Sequence, residues 1–150
     1  MRTFLHFAAT GFYAGYLPVA PGTWATLLIG VPLFFGLKSL GEIAFFVGFV
    51  GILALSVVSA DFVEKELGEK DPSFVVIDEV IGFLTAMILV PVSVTHVVFG
   101  CAFFRLFDIL KPYPIRTIEQ RFPGGWGITL DDVLAGLYAN LCVRLVSLFL

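Results

Sequence analysis

RLFDILKPYPIRTIEQRFPGGWGITLDD, residues 105 to 132, decides how this chain is read, because it gathers charge within a sequence that is otherwise apolar. Of the 150 residues, 59% are hydrophobic, 17 are Phe and only 14% are charged. Ordinary soluble domains carry about 45–50% apolar and about 25% charged residues, so this composition points to a lipid bilayer. Within the stretch, Arg105, Asp108 and Lys111 follow at i, i+3 steps, which on a helix lines up a cation, an acid and a cation within two turns. Pro112 ends that helix and Pro114 restricts the next turn. A short segment then carries Arg116, Glu119 and Arg121. PGGWG at 123 to 127 reads as a loop whose backbone can approach a ligand closely. Thr129-Leu130-Asp131-Asp132 has capping-box spacing, which gives Asp132 a structural role at a helix start that Asp131 does not share. The last apolar helix, 133 to 150, is broken only by Arg144, expected to snorkel or to pair with an interior acid.

Working outward, 43 to 60 is an uncharged run of 18 residues, long enough to cross most of a hydrocarbon core of roughly 30 Å. Residues 61 to 71 carry five acids and two lysines and read as a solvated face or an extension of that helix. Asp71-Pro72 has the form of an N-cap followed by Pro at the first helical position. Asp78 and Glu79 are different, being two adjacent acids between FVVI and VIGF. Ionised carboxylates in such company need a cation or a metal, or else they take up protons. Gly82, one turn on, lets another helix approach that acid face. Thr23, before the apolar run 24 to 37, reads as a helix N-cap or as a contact to a phosphate or headgroup. His96 reads as a satisfied interface histidine, and Cys101 and Cys142 as small core hydrophobes. The net charge of −3 excludes a broad basic footprint for nucleic acid.

Pro91 decides the topology. A straight helix from Asp78 to Asp108 would hold those acids about 45 Å apart. Pro91 removes a backbone donor and turns the chain, folding two short arms into a re-entrant or core hairpin that brings both acids to one end. Its exposed backbone then needs cover from neighbouring helices such as 43 to 60 and 133 to 150.

FDILKPYPIR and GGWGITLDDVLAG, with APGTW at 20 to 24 and DPSFVVIDEVIG at 71 to 82, resemble the phosphatidylglycerophosphatase A family, in order and over nearly the whole chain. The resemblance implies an all-α, compact integral membrane domain spanning 1 to 150, with one central helix surrounded by the others; with the hairpin expected at Pro91, about six helices are expected. It implies an enzyme of the bacterial cytoplasmic (inner) membrane, multi-pass or re-entrant, that uses Mg²⁺ to remove the terminal phosphate of phosphatidylglycerophosphate and leave phosphatidylglycerol.

Hydrolysis of a phosphate monoester needs cations on the phosphoryl oxygens, a positioned water and usually a carboxylate-held Mg²⁺. Asp78, Glu79, Asp108, Asp131 and Asp132 are the candidate catalytic acids, and the first four are the candidate metal ligands. Thr23, Arg105, Lys111 and Arg116 are the candidate substrate contacts. No Cys-x₅-Arg loop, Asp-x-Asp motif or paired histidines offer a covalent route, which leaves metal-assisted attack by water. Without the resemblance, a small transporter lined by Asp78, Asp108 and Arg144 is the rival reading. The placement of charges at the ends of apolar runs, beside a basic stretch, favours the enzyme. Four of the nine basic residues, Arg105, Lys111, Arg116 and Arg121, fall within 17 positions, which places this end of the protein toward the cytoplasm.

Overall fold

The computed structural model describes residues 1–149, whose regular elements are all helical, with no strand among them. The helices are α1 (Arg2–Ala9), α2 (Pro21–Ala25), α3 (Val31–Ser39), α4 (Glu42–Leu67), α5 (Ile77–Ala86), α6 (Val94–Leu110), α7 (Ile115–Arg121) and α8 (Gly125–Ser147). A π-turn, Thr26–Gly30, joins α2 and α3 with right-handed helical backbone at both junctions, so the two make one rod and the fold has seven rods.

The central helix is α5. Past Asp78 and Glu79 its sequence, IDEVIGFLTA, is apolar on every side, the pattern of a helix enclosed by others, and every residue except Glu79 is buried. It packs most extensively on α8 and also touches α2, α4, α6 and the π-turn. Around it Phe34, Phe45, Phe83, Phe104, Ile81 and Leu84 form the main core.

At 26 residues, α4 is the one described helix long and apolar enough to cross a membrane, with only 22% of its most apolar 18-residue window buried. It starts after Gly41 (φ +102°) and stops at Gly68 (φ +67°), whose N–H donates to the Glu64 carbonyl in a left-handed C-cap. The acidic stretch after residue 60 therefore extends this helix.

The chain turns where Pro91 requires it. Helix ends at Ala86 and resumes at Val94, with Ser93 capping α6 by accepting the His96 N–H. The turn is covered by α8. Asn140 Nδ2 donates to the carbonyls of Ala86 (2.8 Å) and Ile88 (2.9 Å), and Arg144 Nη2 donates to Ile88 (2.9 Å). Arg144 thus serves the hairpin rather than an interior acid. His96 bonds both Ser93 and Ser147, and so ties α6 to α8. Asn140→Leu, near in size but without donors, is expected to cost about 1–3 kcal/mol by leaving the Ala86 carbonyl unpaired, read as a lower unfolding temperature.

Three local expectations are corrected. Residues 72 to 76 are not helical: Asp71 has φ +50°, Val76 lies off helical geometry with φ −141° and ψ 8° and donates its N–H to the Ala9 carbonyl, and α5 begins only at Ile77. The consequence is functional, since Asp78 and Glu79 then occupy the first turn, where the helix dipole favours carboxylates. Thr23 is not an N-cap but lies inside α2, because Pro21 starts the helix at its first position after Ala20. The capping box at 129 to 132 does not form, because α8 begins four residues earlier. Gly124 (φ +68°) precedes it, Gly125 donates its N–H to Asp61 Oδ1 (3.4 Å), and Thr129 instead bonds Ser56 across to α4 (2.9 Å). The glycines of PGGWG serve close packing: a Cβ on Gly125 would lie 2.0 Å from the Val57 carbonyl oxygen.

Candidate active site

The site forms where the first turn of α5, the last turns of α6, the start of α2 and the middle of α8 converge. Each of the two central helices carries an acid one turn before a glycine: Asp78 and Gly82 on α5, Asp132 and Gly136 on α8. The glycines make the seam. A Cβ on Gly136 would sit 2.2 Å from the Gly82 carbonyl oxygen, and one on Gly82 would sit 2.9 Å from that of Asp132. With no side chains between them the helices touch backbone to backbone, and the acids meet one turn away.

One carboxylate oxygen each from Asp78, Glu79 and Asp132 lies within 4.8 Å of the other two. Asp78 and Asp132 are buried, at 7% and 3% exposure. Asp78 Oδ1 and Glu79 Oε2 are buried with no hydrogen-bond partner. Burial, reinforced by Glu79, pushes the Asp78 carboxyl well above the usual range. Glu79 is raised to about 7, again chiefly by burial, although the adjoining Asp78 carboxyl and the Arg105 charge pull the other way. Orphaned oxygens on crowded, buried carboxylates are what a divalent cation satisfies, so the donor set fits a hard metal ion.

Cations stand at the edge. Arg105 Nη1 is 3.7 Å from Glu79 Oε1 and 2.8 Å from Asp108 Oδ2, yet it is buried without hydrogen-bond geometry to either. This contact joins the two arms of the hairpin and brings Asp108 to the acids of α5. Lys111 Nζ is 2.6 Å from Asp131 Oδ2 and 3.2 Å from Glu119 Oε2, which fixes α7 and the end of α6 against α8. Burial would lower the Lys111 ammonium's pKa, but Asp131 and Glu119 outweigh it and hold the pKa up, so the side chain stays charged. Gly22, in APGTW, packs on the cluster: a Cβ there would lie 1.8 Å from Glu79 Oε1. Thr23, next to it, shares a groove with Arg105.

The expected residues therefore divide. Asp78, Glu79 and Asp132 come together, with Asp108 and Asp131 beside them, each held on a cation. Arg105 reaches the cluster, Lys111 is engaged by two acids, and Arg116 is exposed on α7 without an ion pair among the described residues. Gly22, Glu119 and Gly136 were missed. The repeated spacing of acid and glycine, Asp78 to Gly82 and Asp132 to Gly136, was the signal for the last.

This geometry defines a class: an all-helical protein with a buried acidic cluster, suited to a divalent cation, and a guanidinium at its edge. Residues 7–147 match the family described as Phosphatidylglycerophosphatase A. The phosphatidylglycerophosphatase A of Haemophilus influenzae is 35% identical over 143 residues, covering 93% of this chain and 86% of that protein. The Escherichia coli protein of the same description is 32% identical, covering 88% and 77%. A Bacteroides thetaiotaomicron protein described as a putative phosphatidylinositol-3-phosphatase is 38% identical, covering 89% and 87%. No solved structure matches the chain. The chain belongs to the phosphatidylglycerophosphatase A family and is a phosphoric monoester hydrolase.

Proposed function

We propose that the chain is a single membrane-embedded domain that hydrolyses phosphatidylglycerophosphate to phosphatidylglycerol and inorganic phosphate, with Mg²⁺, at the cytoplasmic face of the bacterial inner membrane. The observation that carries the metal is the pair of orphaned oxygens, Asp78 Oδ1 and Glu79 Oε2, inside the carboxylate cluster. Support for the membrane comes from α4 and from large apolar residues left exposed: Ile43 and Val47 on α4, Val98 and Ile109 on α6, Leu141 and Leu145 on α8. In this reading α4 crosses, and the hairpin of α5 and α6 enters without crossing.

Asp78, Glu79 and Asp132 would hold the Mg²⁺. Bound there, the ion supplies positive charge against the phosphoryl oxygens and acidity to a nearby water. Arg105, with a buried N–H not yet bonded, orients the phosphate. Asp108 holds Arg105, and Asp131 with Glu119 holds Lys111, so both cations stay in place. Water adds to phosphorus, the bond from phosphorus to the glycerol oxygen breaks, and that oxygen leaves as an alcohol.

The test is phosphate release by the purified protein from phosphatidylglycerophosphate, run beside phosphatidic acid and phosphatidylinositol 3-phosphate, the latter because of the Bacteroides relative. Phosphatidylglycerophosphate is expected to be fastest, with activity lost in EDTA and restored by Mg²⁺. Full activity in EDTA would sink the metal, and faster turnover of either rival would sink the substrate. Orientation is read from Gln120→Cys, exposed on α7. An impermeant thiol reagent added to intact cells is expected to leave it unlabelled, and ready labelling from outside would reverse the topology.

A further inference from the structure

A groove of about 370 Å³ runs between the π-turn rod and α6, with walls that include Leu27, Val98, Cys101 and Ala102 and that are apolar almost throughout, the stem of Arg105 included. Leu27 and Val98 are 46% and 59% exposed, so the groove opens sideways onto the apolar surface of the molecule. Arg105, whose stem lines the groove, carries a buried Nη1 without a hydrogen-bond partner to 2.8 Å from Asp108 Oδ2 and 3.7 Å from Glu79 Oε1 of the carboxylate cluster. Apolar walls that share an arginine with the carboxylate cluster match the chemistry of one kind of molecule, a lipid that ends in a phosphate.

We propose that this groove takes one acyl chain of the phospholipid substrate and thereby sets its phosphate against Arg105; this rests on the lipid phosphatase reading above. A chain that moves from bilayer to groove gains little hydrophobic energy, because it leaves one apolar medium for another. What the groove supplies is position. It fixes the lateral and vertical placement of the headgroup, so the phosphate arrives at the cluster already oriented, and the gain appears in kcat/KM for lipid over substrates without chains.

Two measurements test it. The full chain in phosphatidylcholine vesicles is irradiated with phosphatidic acid that carries a diazirine midway along one acyl chain, beside a diacylglycerol with the same chain. Adducts at Leu27, Val98, Cys101 and Ala102, enriched for the phosphate-bearing lipid, are expected. Equal labelling by the two lipids means bulk bilayer contact and overturns the groove. Ala102→Trp, at an exposed position that fills the groove without entering the core, is expected to lower the ratio of kcat/KM for diacyl substrate to that for glycerol 3-phosphate by about tenfold or more. Val47→Trp, on an exposed part of α4 outside the groove, keeps the wild-type ratio, and an unchanged ratio in Ala102→Trp refutes the proposal. If the wild-type protein releases phosphate from no lipid, the phosphatase reading falls, while the adduct pattern still decides the groove.

Discussion

Asp78→Asn is expected to lower phosphate release by about 10²-fold or more while raising the unfolding temperature of the metal-free protein. The two effects have one cause. Asp78 is buried beside Glu79 and Asp132, and its Oδ1 has no partner, so without a cation its charge is a cost to the fold. Asparagine keeps the shape, removes the charge and offers a donor to carboxylate neighbours that can only accept. The pH dependence follows the same sign. Glu79 is raised from 4.5 to about 7, so the folded protein retains a proton that the unfolded chain gives up. Its contribution is fully present below about 4.5 and is lost as pH rises through about 7, so the metal-free protein is most stable on the acid side. Above that pH Mg²⁺ is expected to restore the stability of the wild type and to do much less for Asp78→Asn. Asp131→Asn makes the contrast, because it takes from Lys111 the closer of its two acids and is expected to lower the unfolding temperature. Unfolding scans at pH 8 in EDTA and in Mg²⁺, beside phosphate-release rates, check all of this. An Asp78→Asn protein that is less stable in EDTA would make Asp78 an ordinary structural acid.

What the sequence made legible is what local chemistry sets. Pro112 stops α6 because it cannot donate, and Pro91 lies in the break between α5 and α6. Asp78 and Glu79 stood out because ionised acids do not sit among Val and Ile without a partner. That one helix is central was implied by the family resemblance, but which helix it is came only with the packing of α5. The division of labour between Asp131 and Asp132 was not legible, because it depends on where α8 begins. A helix from Thr129 makes Asp132 a cap. One from Gly125 puts Asp132 into the cluster and Asp131 onto Lys111. That start is set by contacts distant in sequence, Asp61 with the Gly125 N–H and Ser56 with Thr129, which no reading of the local stretch contains. Lys111 looked like a free phosphate clamp for the same reason: Glu119 and Asp131 reach it only once α7 and α8 have folded back.

Gly136→Ala is expected to damage the site most severely from a position that holds no functional group. The added methyl carbon would fall 2.2 Å from the Gly82 carbonyl oxygen and 2.7 Å from Thr85 Cβ, and a backbone carbonyl in the central helix cannot rotate aside as a side chain does. Relief requires α8 to withdraw from α5 by on the order of 1 Å, with an overpacking cost of about 1–3 kcal/mol. Asp132 lies one turn before Gly136 and Asp78 one turn before Gly82, so the same withdrawal draws the carboxylates of the cluster apart. A displacement of about 1 Å is enough to cost about 10²-fold in rate, and a disturbed ligand shell about 10–100-fold in metal affinity. The expected signature is therefore a large rise in the Mg²⁺ concentration needed for half-maximal activity, together with a lower unfolding temperature. Gly51→Ala is the control, since a Cβ on that α4 glycine meets nothing within 4 Å and gains helix propensity of up to about 1 kcal/mol. It is expected to be as active as the wild type and at least as stable. A folded Gly136→Ala protein with the wild-type Mg²⁺ requirement would show that the seam between α5 and α8 does not set the spacing of the acids.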